Sequence, residues 1–124
     1  MAEPEILLVD DERDILELGI LSLREAGYAV QGAASGDIAL VLVEQGLPFR
    51  LLVTDIIMPG LLDGYALARR ARQLRPGLRV IYSTGFSRVA AIRAPGAPHG
   101  ETLQKPWRPN ELLRLVEHVL RAPA

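Results

Sequence analysis

The feature that most constrains the fold is a regular alternation of short apolar runs with segments of helical periodicity. The runs 5–9 (EILLV), 51–54 (LLVT) and 78–83 (LRVIYS) are largely apolar at successive positions, which is typical of strands covered on both faces of a parallel sheet. The shorter, half-polar runs 28–32 (YAVQG) and 101–104 (ETLQ) suit the two edges of such a sheet. The sequence therefore predicts five strands, three of them central.

Helical segments separate these strands. The segments in which apolar side chains recur at helical spacing are 12–26, 36–45, 63–74 and 109–121. Ser35 is placed to cap the second of them, Pro76 follows the end of the third, and Pro109 suits the first position of the last. The alternation predicts an α/β fold: a (βα)5 doubly wound five-stranded parallel sheet of the flavodoxin-like type, with strand order 2-1-3-4-5 and helices on both faces.

One segment departs from this alternation. Residues 87–93 have room for two helical turns, but residues 94–100 read APGAPHG, with two prolines and two glycines that interrupt a helix. We therefore expect the helix between the fourth and fifth strands to be short or irregular.

Length and composition indicate the class of protein. With 124 residues, 49% hydrophobic and 23% charged, the chain is expected to be a single globular domain, residues 1–124, with no output domain. Its 14 Lys and Arg nearly balance its 15 Asp and Glu, so neither nucleic acid nor a membrane is an expected partner. The absence of cysteine, of a membrane-length apolar run and of a leader-like start favours a cytoplasmic location.

Polar and charged residues follow the strands at one edge of the predicted sheet. Asp10 and Asp11 follow the first strand, Asp55 the third, Ser83 and Thr84 the fourth, and Lys105 the fifth. In the order 2-1-3-4-5 the first and third strands are neighbours, and open parallel sheets bind ligands at the carboxyl ends of their strands. We therefore expect three carboxylates, a hydroxyl and an ammonium in one crevice.

The three carboxylates of this crevice would repel one another without a cation among them. Because the available ligands are oxygens, with no His or Cys in the pattern, Mg²⁺ is the expected ion. A carboxylate is also a competent nucleophile toward phosphorus. Phosphoryl transfer needs mainly positioning and charge neutralisation, which a metal, Lys105 and a hydroxyl of the fourth strand can supply. The crevice therefore predicts phosphoryl chemistry.

These residues lie in motifs that resemble the receiver domain of bacterial two-component response regulators. The motifs are ILLVDDE (6–12), VTDIIMPG (53–60) with DG (63–64), YSTG (82–85) and KPW (105–107), in the order and close to the spacing of that family. The resemblance covers essentially the whole chain. It implies a parallel sheet between helices, and transfer of a phosphoryl group to one aspartate from a sensor histidine kinase or a phosphotransfer protein. Phosphorylation would switch contacts with an unknown downstream protein.

The resemblance implies a role for each motif residue. Asp55 matches the phosphoacceptor of the family. Asp10 and Asp11 match the acidic pair that binds Mg²⁺ together with the acceptor, and the backbone carbonyl of Ile57 matches the remaining protein ligand. Lys105 matches the lysine that contacts the phosphoryl group. The peptide bond after this lysine, before Pro106, is usually cis in the family, an isomer that is accessible at modest cost only before proline.

The hydroxyl that contacts the phosphoryl group can be assigned to either of two neighbours. Ser83 is preferred, because a small residue follows the hydroxyl in the family and Thr84 can occupy that place, with Gly85 next. Thr84 is the second choice. The resemblance therefore leaves the hydroxyl of the fourth strand open by one position.

The chain departs from the family pattern in three places. The loop 59–64 is one residue longer than the common form, as in receivers of the hybrid-kinase type. Thr102 stands three residues before Lys105, where the family usually has a Tyr or Phe that switches its rotamer. The helix before the fifth strand is interrupted. The last two departures favour an alternative function, a receiver-like interaction module that does not use phosphorylation.

Two further functions at such a strand edge are disfavoured. Phosphatases with an aspartate nucleophile place a second Asp two residues beyond it, where this chain has Ile57, so an enzyme that turns over a separate substrate is not expected. Flavin or nucleotide binding would call for a glycine-rich phosphate loop, and GxxxxGK[ST] and GxGxxG are absent. Neither Ile57 nor Gly85 can orient a hydrolytic water, so the phosphoryl group is expected to be long-lived.

Overall fold

The computed structural model describes residues 5–85 and 96–122. Its sheet consists of β1 (Ile6–Val9), β2 (Val30–Ala33), β3 (Leu51–Asp55), β4 (Arg79–Thr84) and β5 (Glu101–Gln104). The strands lie in the order β2-β1-β3-β4-β5, and every neighbouring pair is parallel. The predicted flavodoxin-like sheet is therefore confirmed.

Four helices lie within the described residues: α1 (Arg13–Glu25), α2 (Gly36–Glu44), α3 (Gly64–Leu74) and α4 (Pro109–Arg121). The predicted cap of α2 is confirmed, because the Ser35 hydroxyl accepts a hydrogen bond of 3.1 Å from the Ile38 N–H. Pro109 occupies the first position of α4, as expected. No helix in these ranges is long and apolar enough to cross a membrane. The helical turns considered for 87–93 lie outside the described residues.

Two layers of helices cover the sheet. On one face, α2 and α3 bury a set that includes Leu7, Val9, Leu52, Val80 and Tyr82 from the strands. On the other face, α1 and α4 bury a set that includes Ile6, Leu8, Leu51, Val53 and Ile81. Successive strand residues alternate between the two sets because successive side chains of a strand point to opposite faces. Both faces are apolar, which explains why the central strands read as continuous hydrophobic runs.

Strand register brings the polar residues of the motifs to one edge. Val9 of β1 is paired with Thr54 of β3, so the residues that follow, Asp10 and Asp55, leave neighbouring strands at the same level. Asp55 is in turn paired with Ser83 of β4. The carboxyl ends of all five strands meet at this edge, where open parallel sheets bind ligands.

Candidate functional site

The acidic residues predicted to converge do so. Asp10 is 3% exposed and Asp55 is 7% exposed, whereas Asp11 is at the surface. Each of the three offers a carboxylate oxygen, and these oxygens lie within 4.8 Å of one another. Burial of two carboxylates at such a separation is costly unless positive charge compensates them.

Lys105 supplies that positive charge. Its Nζ lies 2.8 Å from Asp10 Oδ2 and 3.0 Å from Asp55 Oδ2. Its backbone N–H donates to the Thr84 carbonyl at 2.8 Å, which holds the residue at the end of β5 beside β4. The Lys105–Pro106 peptide bond is cis, as the resemblance implied. The ammonium is therefore held at the ends of β1 and β3, in contact with two of the three clustered carboxylates.

Glu12 is a further member of the site to which the sequence pattern assigned no role. Its Oε1 lies 3.3 Å from Lys105 Nζ, and its backbone N–H donates to Asp10 Oδ1 at 2.9 Å. Asp10 thus uses one oxygen to fix the start of α1 and the other to bind the lysine. The position of Glu12 directly after two aspartates was the signal that could have identified it.

Burial and pairing act in opposite directions on the ionisation of this cluster. Burial raises the pKa of the Asp10 and Asp55 carboxyls above their ordinary value, and the hydrogen bonds and charge of Lys105 offset part of that rise. Burial alone would lower the pKa of the Lys105 ammonium, but its hydrogen bonds to both carboxylates outweigh burial and raise it. The lysine is therefore firmly charged, while both carboxylates carry a desolvation cost.

The donor set fits a magnesium ion. Three carboxylates face one ammonium, which leaves net negative charge in a crevice whose ligand atoms are all oxygens. Hard divalent cations prefer such oxygens, and Mg²⁺ is commonly held by a few carboxylates and water. Within residues 5–85 and 96–122, no other group of three acidic, His or Cys side chains lies close enough to share an ion.

The loop after Asp55 is held against the strand by a close backbone contact. The Gly64 N–H donates to the Ile56 carbonyl at 2.7 Å, and a Cβ on Gly64 would lie 2.0 Å from the Asp55 carbonyl oxygen. Asp63 then caps α3, accepting from the Ala66 N–H at 2.8 Å. Only glycine fits between the acceptor strand and α3, so the position of Asp55 is tied to the start of that helix.

The extended loop also contacts α2. Gly60 has φ of +108°, and the Leu61 N–H donates to Asp37 Oδ2 at 3.4 Å. Ile57 lies at the surface, 54% exposed, and the role of its carbonyl as a metal ligand stays a prediction. The loop is thus shaped by a glycine in a left-handed conformation and by contact with the first turn of α2.

The two candidate hydroxyls belong to opposite faces of β4. Ser83, 3% exposed, lies with Asp10 and Trp107 around a small space beside α1, and within the described residues its hydroxyl has no hydrogen-bond partner. Thr84 is 1% exposed and shares the face of Tyr82, because side chains alternate along a strand. Which hydroxyl contacts a phosphoryl group stays a prediction.

Comparison with known proteins decides the family. Residues 6–117 match the family model of the response regulator receiver domain. The chain belongs to this family. This receiver domain is 37% identical over 118 residues to the response regulator receiver protein CpdR of Brucella abortus, an alignment that covers 94% of this chain and 97% of CpdR. It is 33% identical over 117 residues to the sensor kinase CckA of the same organism, covering 93% of this chain but 12% of that kinase.

Solved structures agree with the fold of this receiver domain. It superposes on a response regulator receiver protein from Sinorhizobium medicae with a TM-score of 0.86 at 31% identity, covering 97% of this chain and 96% of the other. A putative response regulator from Chloroflexus aurantiacus gives a TM-score of 0.81 at 36% identity, covering 97% and 100%. The resemblance read from the sequence is confirmed at the level of family and fold.

Proposed function

We propose that this receiver domain accepts a phosphoryl group on Asp55 from a phosphohistidine of a sensor histidine kinase or phosphotransfer protein in the cytoplasm. Phosphorylation then switches its contacts with a downstream protein in two-component signalling. The observation that carries this proposal is the position of Lys105 Nζ, 2.8 Å from Asp10 and 3.0 Å from Asp55, beside three carboxylates that fit a magnesium ion.

The covalent step requires only the exchange of one bond to phosphorus. A carboxylate oxygen of Asp55 attacks the phosphorus and forms the new O–P bond while the N–P bond of the donor breaks. The electron pair of that bond returns to the donor imidazole, which takes up a proton from solvent. Catalysis then consists of holding Asp55 in line and neutralising the phosphoryl oxygens.

The side chains around Asp55 divide this work. Lys105, which is 11% exposed at its side chain, binds one phosphoryl oxygen, and a hydroxyl of β4, from Ser83 or Thr84, donates to another. Asp10, Asp11, Asp55 and the Ile57 carbonyl would hold Mg²⁺. The bound ion would supply further neutralisation of the phosphoryl oxygens. Because Asp10 is already fixed by the Glu12 N–H, part of this arrangement is formed before the donor arrives.

The domain itself turns over no separate substrate. It promotes its own phosphorylation and a slow hydrolysis of the product. Ile57 and Gly85, two residues beyond Asp55 and Ser83, carry no acid or amide that could orient a water molecule toward the phosphorus. We expect loss of radiolabel from the phosphorylated domain over minutes or longer, and loss within seconds would contradict this expectation.

Intact-mass spectrometry with acetyl phosphate and Mg²⁺ tests the main proposal. Wild type is expected to gain the mass of one phosphoryl group, and Asp55→Asn to gain none. Asp14→Asn removes an exposed aspartate of α1 outside the site and serves as the matched control, expected to behave as wild type. EDTA should abolish the adduct. No adduct on wild type would overturn the proposal and favour the alternative, an interaction module that does not use phosphorylation, which rests on Thr102.

A further inference from the structure

A buried tyrosine, Tyr82 of β4, lies between the acceptor loop and the segment that leads into β5. The Tyr82 side chain is 2% exposed, and no step of the phosphoryl chemistry uses it. Its register partner on β5 is Thr102, an exposed residue at the position where the family usually has an aromatic side chain. The aromatic ring of this strand pair is therefore on β4.

Tyr82 is connected to the acceptor strand β3 through the first residues of α3. Gly64, the first residue of α3, packs against the Asp55 carbonyl so closely that a Cβ would lie 2.0 Å from that oxygen. The next residue, Tyr65, places its ring centroid 4.9 Å from that of Tyr82, with an angle of 59° between the ring planes. Tilted rings at this separation interact favourably, so Tyr82 is in direct contact with the first turn of α3.

Tyr82 also contacts the chain that precedes β5. Its hydroxyl donates to the Pro98 carbonyl at 2.7 Å. Gly100 lies so close to β4 that a Cβ would be 2.5 Å from the Val80 carbonyl oxygen and 3.1 Å from Tyr82 Cε2. Residues 96–100 are neither helix nor strand, so the path of this segment depends on such side-chain contacts.

A second connection runs along β4 itself. Thr84 lies two residues beyond Tyr82 on the same face of the strand, and the Thr84 carbonyl accepts the backbone N–H of Lys105 at 2.8 Å. The end of β4 therefore contacts Lys105, the residue whose ammonium binds Asp55. Tyr82 is therefore linked to the acceptor by two routes, through α3 and along β4.

We propose that Tyr82 is a positioning residue that couples the phosphorylation state of Asp55 to the conformation of residues 96–101. This inference rests on the proposed function of Asp55. Packed cores transmit small displacements because they do not deform continuously. Movement of the ring away from the Pro98 carbonyl would break the 2.7 Å hydrogen bond that joins them, so movement of the ring is expected to move the segment with it. The surface that changes on phosphorylation is then the segment that precedes β5.

Hydrogen exchange of the intact protein tests this coupling. The test compares the domain with and without the phosphoryl group, in wild type and in a variant expected to lose the coupling. Backbone exchange is measured by mass spectrometry over peptides containing residues 97–101, with Mg²⁺ and with or without acetyl phosphate. In wild type we expect phosphorylation to change exchange in this segment by about fivefold, the change that one hydrogen bond of typical net strength supports.

The decisive variant is Tyr82→Phe, which removes the hydroxyl and keeps the ring. We expect it to take up the phosphoryl group as wild type does, to exchange faster in both states, and to lose the difference between them. Tyr28→Phe is the matched control, because Tyr28 is a half-buried tyrosine on the opposite side of the sheet; it should keep the full difference.

The possible outcomes distinguish a failure of the coupling from a failure of the proposed acceptor function. If wild type shows the phosphoryl adduct but unchanged exchange at 97–101, the coupling is overturned and the acceptor function stands. If Tyr82→Phe raises exchange equally but keeps the full difference, the hydroxyl is structural only and the proposal is again overturned. If wild type shows no adduct, the acceptor function fails, and the coupling fails with it.

Discussion

A cationic side chain contacts oxygen atoms at each of the two edges of the sheet, but the oxygens are of different kinds. At the carboxyl edge, Lys105 faces carboxylates that outnumber it. At the amino edge, the Arg79 guanidinium donates to the carbonyls of Val119, Leu120 and Ala122 at the end of α4, and Arg79 has no carboxylate partner among the described residues. The carboxyl edge holds unbalanced charge, whereas Arg79 at the amino edge is a cation held against neutral acceptors.

This difference separates function from stability. Unbalanced buried negative charge costs free energy of folding but favours the binding of a cation. A guanidinium at the carboxyl end of a helix satisfies carbonyls that lack helical partners and interacts favourably with the helix dipole. Replacing the cation at the carboxyl edge should therefore slow phosphorylation, whereas replacing the cation at the amino edge should lower stability and leave the rate of phosphorylation unchanged.

A glycine at each edge offers the sharpest contrast. Gly64→Ala would place a Cβ 2.0 Å from the Asp55 carbonyl oxygen, which the backbone on both sides cannot accommodate, so we expect a loss of about 3 kcal/mol in the free energy of unfolding. Gly77→Ala meets no atom within 4 Å and is expected to change stability by less than about 0.5 kcal/mol. Urea denaturation of both variants measures this; equal midpoints would refute the close approach at Gly64.

The same replacement at the two cations tests the separation directly. Lys105→Met removes the ammonium that contacts Asp10 and Asp55, and we expect phosphorylation by acetyl phosphate to slow about a hundredfold, the effect of losing one preorganised group that stabilises developing charge. The rate is measured from the growth of the phosphoryl adduct by intact mass. A rate within twofold of wild type would show that the lysine serves stability alone.

Arg79→Met should have the complementary effect. The variant loses hydrogen bonds to the carbonyls of Val119, Leu120 and Ala122, and because Arg79 is only partly buried we expect a destabilisation of about 2 kcal/mol. Its rate of phosphorylation should equal that of wild type. Thermal unfolding and the adduct assay together check this; a slower adduct with unchanged stability would reverse the comparison.

The smallest expected effect is a gain. Asp55→Asn removes one carboxylate from the crowded crevice and leaves Asp10 opposite Lys105. We expect the metal-free variant to be about 1 kcal/mol more stable than wild type, because a buried charge with incomplete compensation is gone. Adding Mg²⁺ should raise the urea midpoint of wild type more than that of the variant. A metal-free variant less stable than wild type would show that the Asp55–Lys105 pair stabilises the fold.

The fold was predictable because its signals are local. Each central strand is a continuous apolar run, and Ser35 and Pro109 mark the starts of α2 and α4 in the sequence itself. The convergence of Asp10, Asp11 and Asp55 followed from strand order alone, because parallel strands bring their carboxyl ends to one edge.

The contacts that escaped prediction join residues distant in sequence. The bond between Tyr82 and Pro98, and those of Arg79 with the end of α4, depend on how far each segment extends before it turns, and no local pattern encodes that distance. The choice between Ser83 and Thr84 stayed open for a related reason. Two adjacent hydroxyl residues at a strand end lie on opposite faces, and the sequence does not show which of them is level with Asp55, because that depends on the register of β4 with β3.

The single tryptophan of the chain is a fluorescent side chain beside the acid crevice. Trp107 lines the same small space as Asp10 and Ser83, and it packs beside α1, where a Cβ on Gly19 would be 3.5 Å from its ring. Because the emission of an indole depends on the charge and hydration around it, we expect the fluorescence of Trp107 to change when a metal ion or a phosphoryl group binds in the crevice. The unlabelled protein would then report that binding in real time.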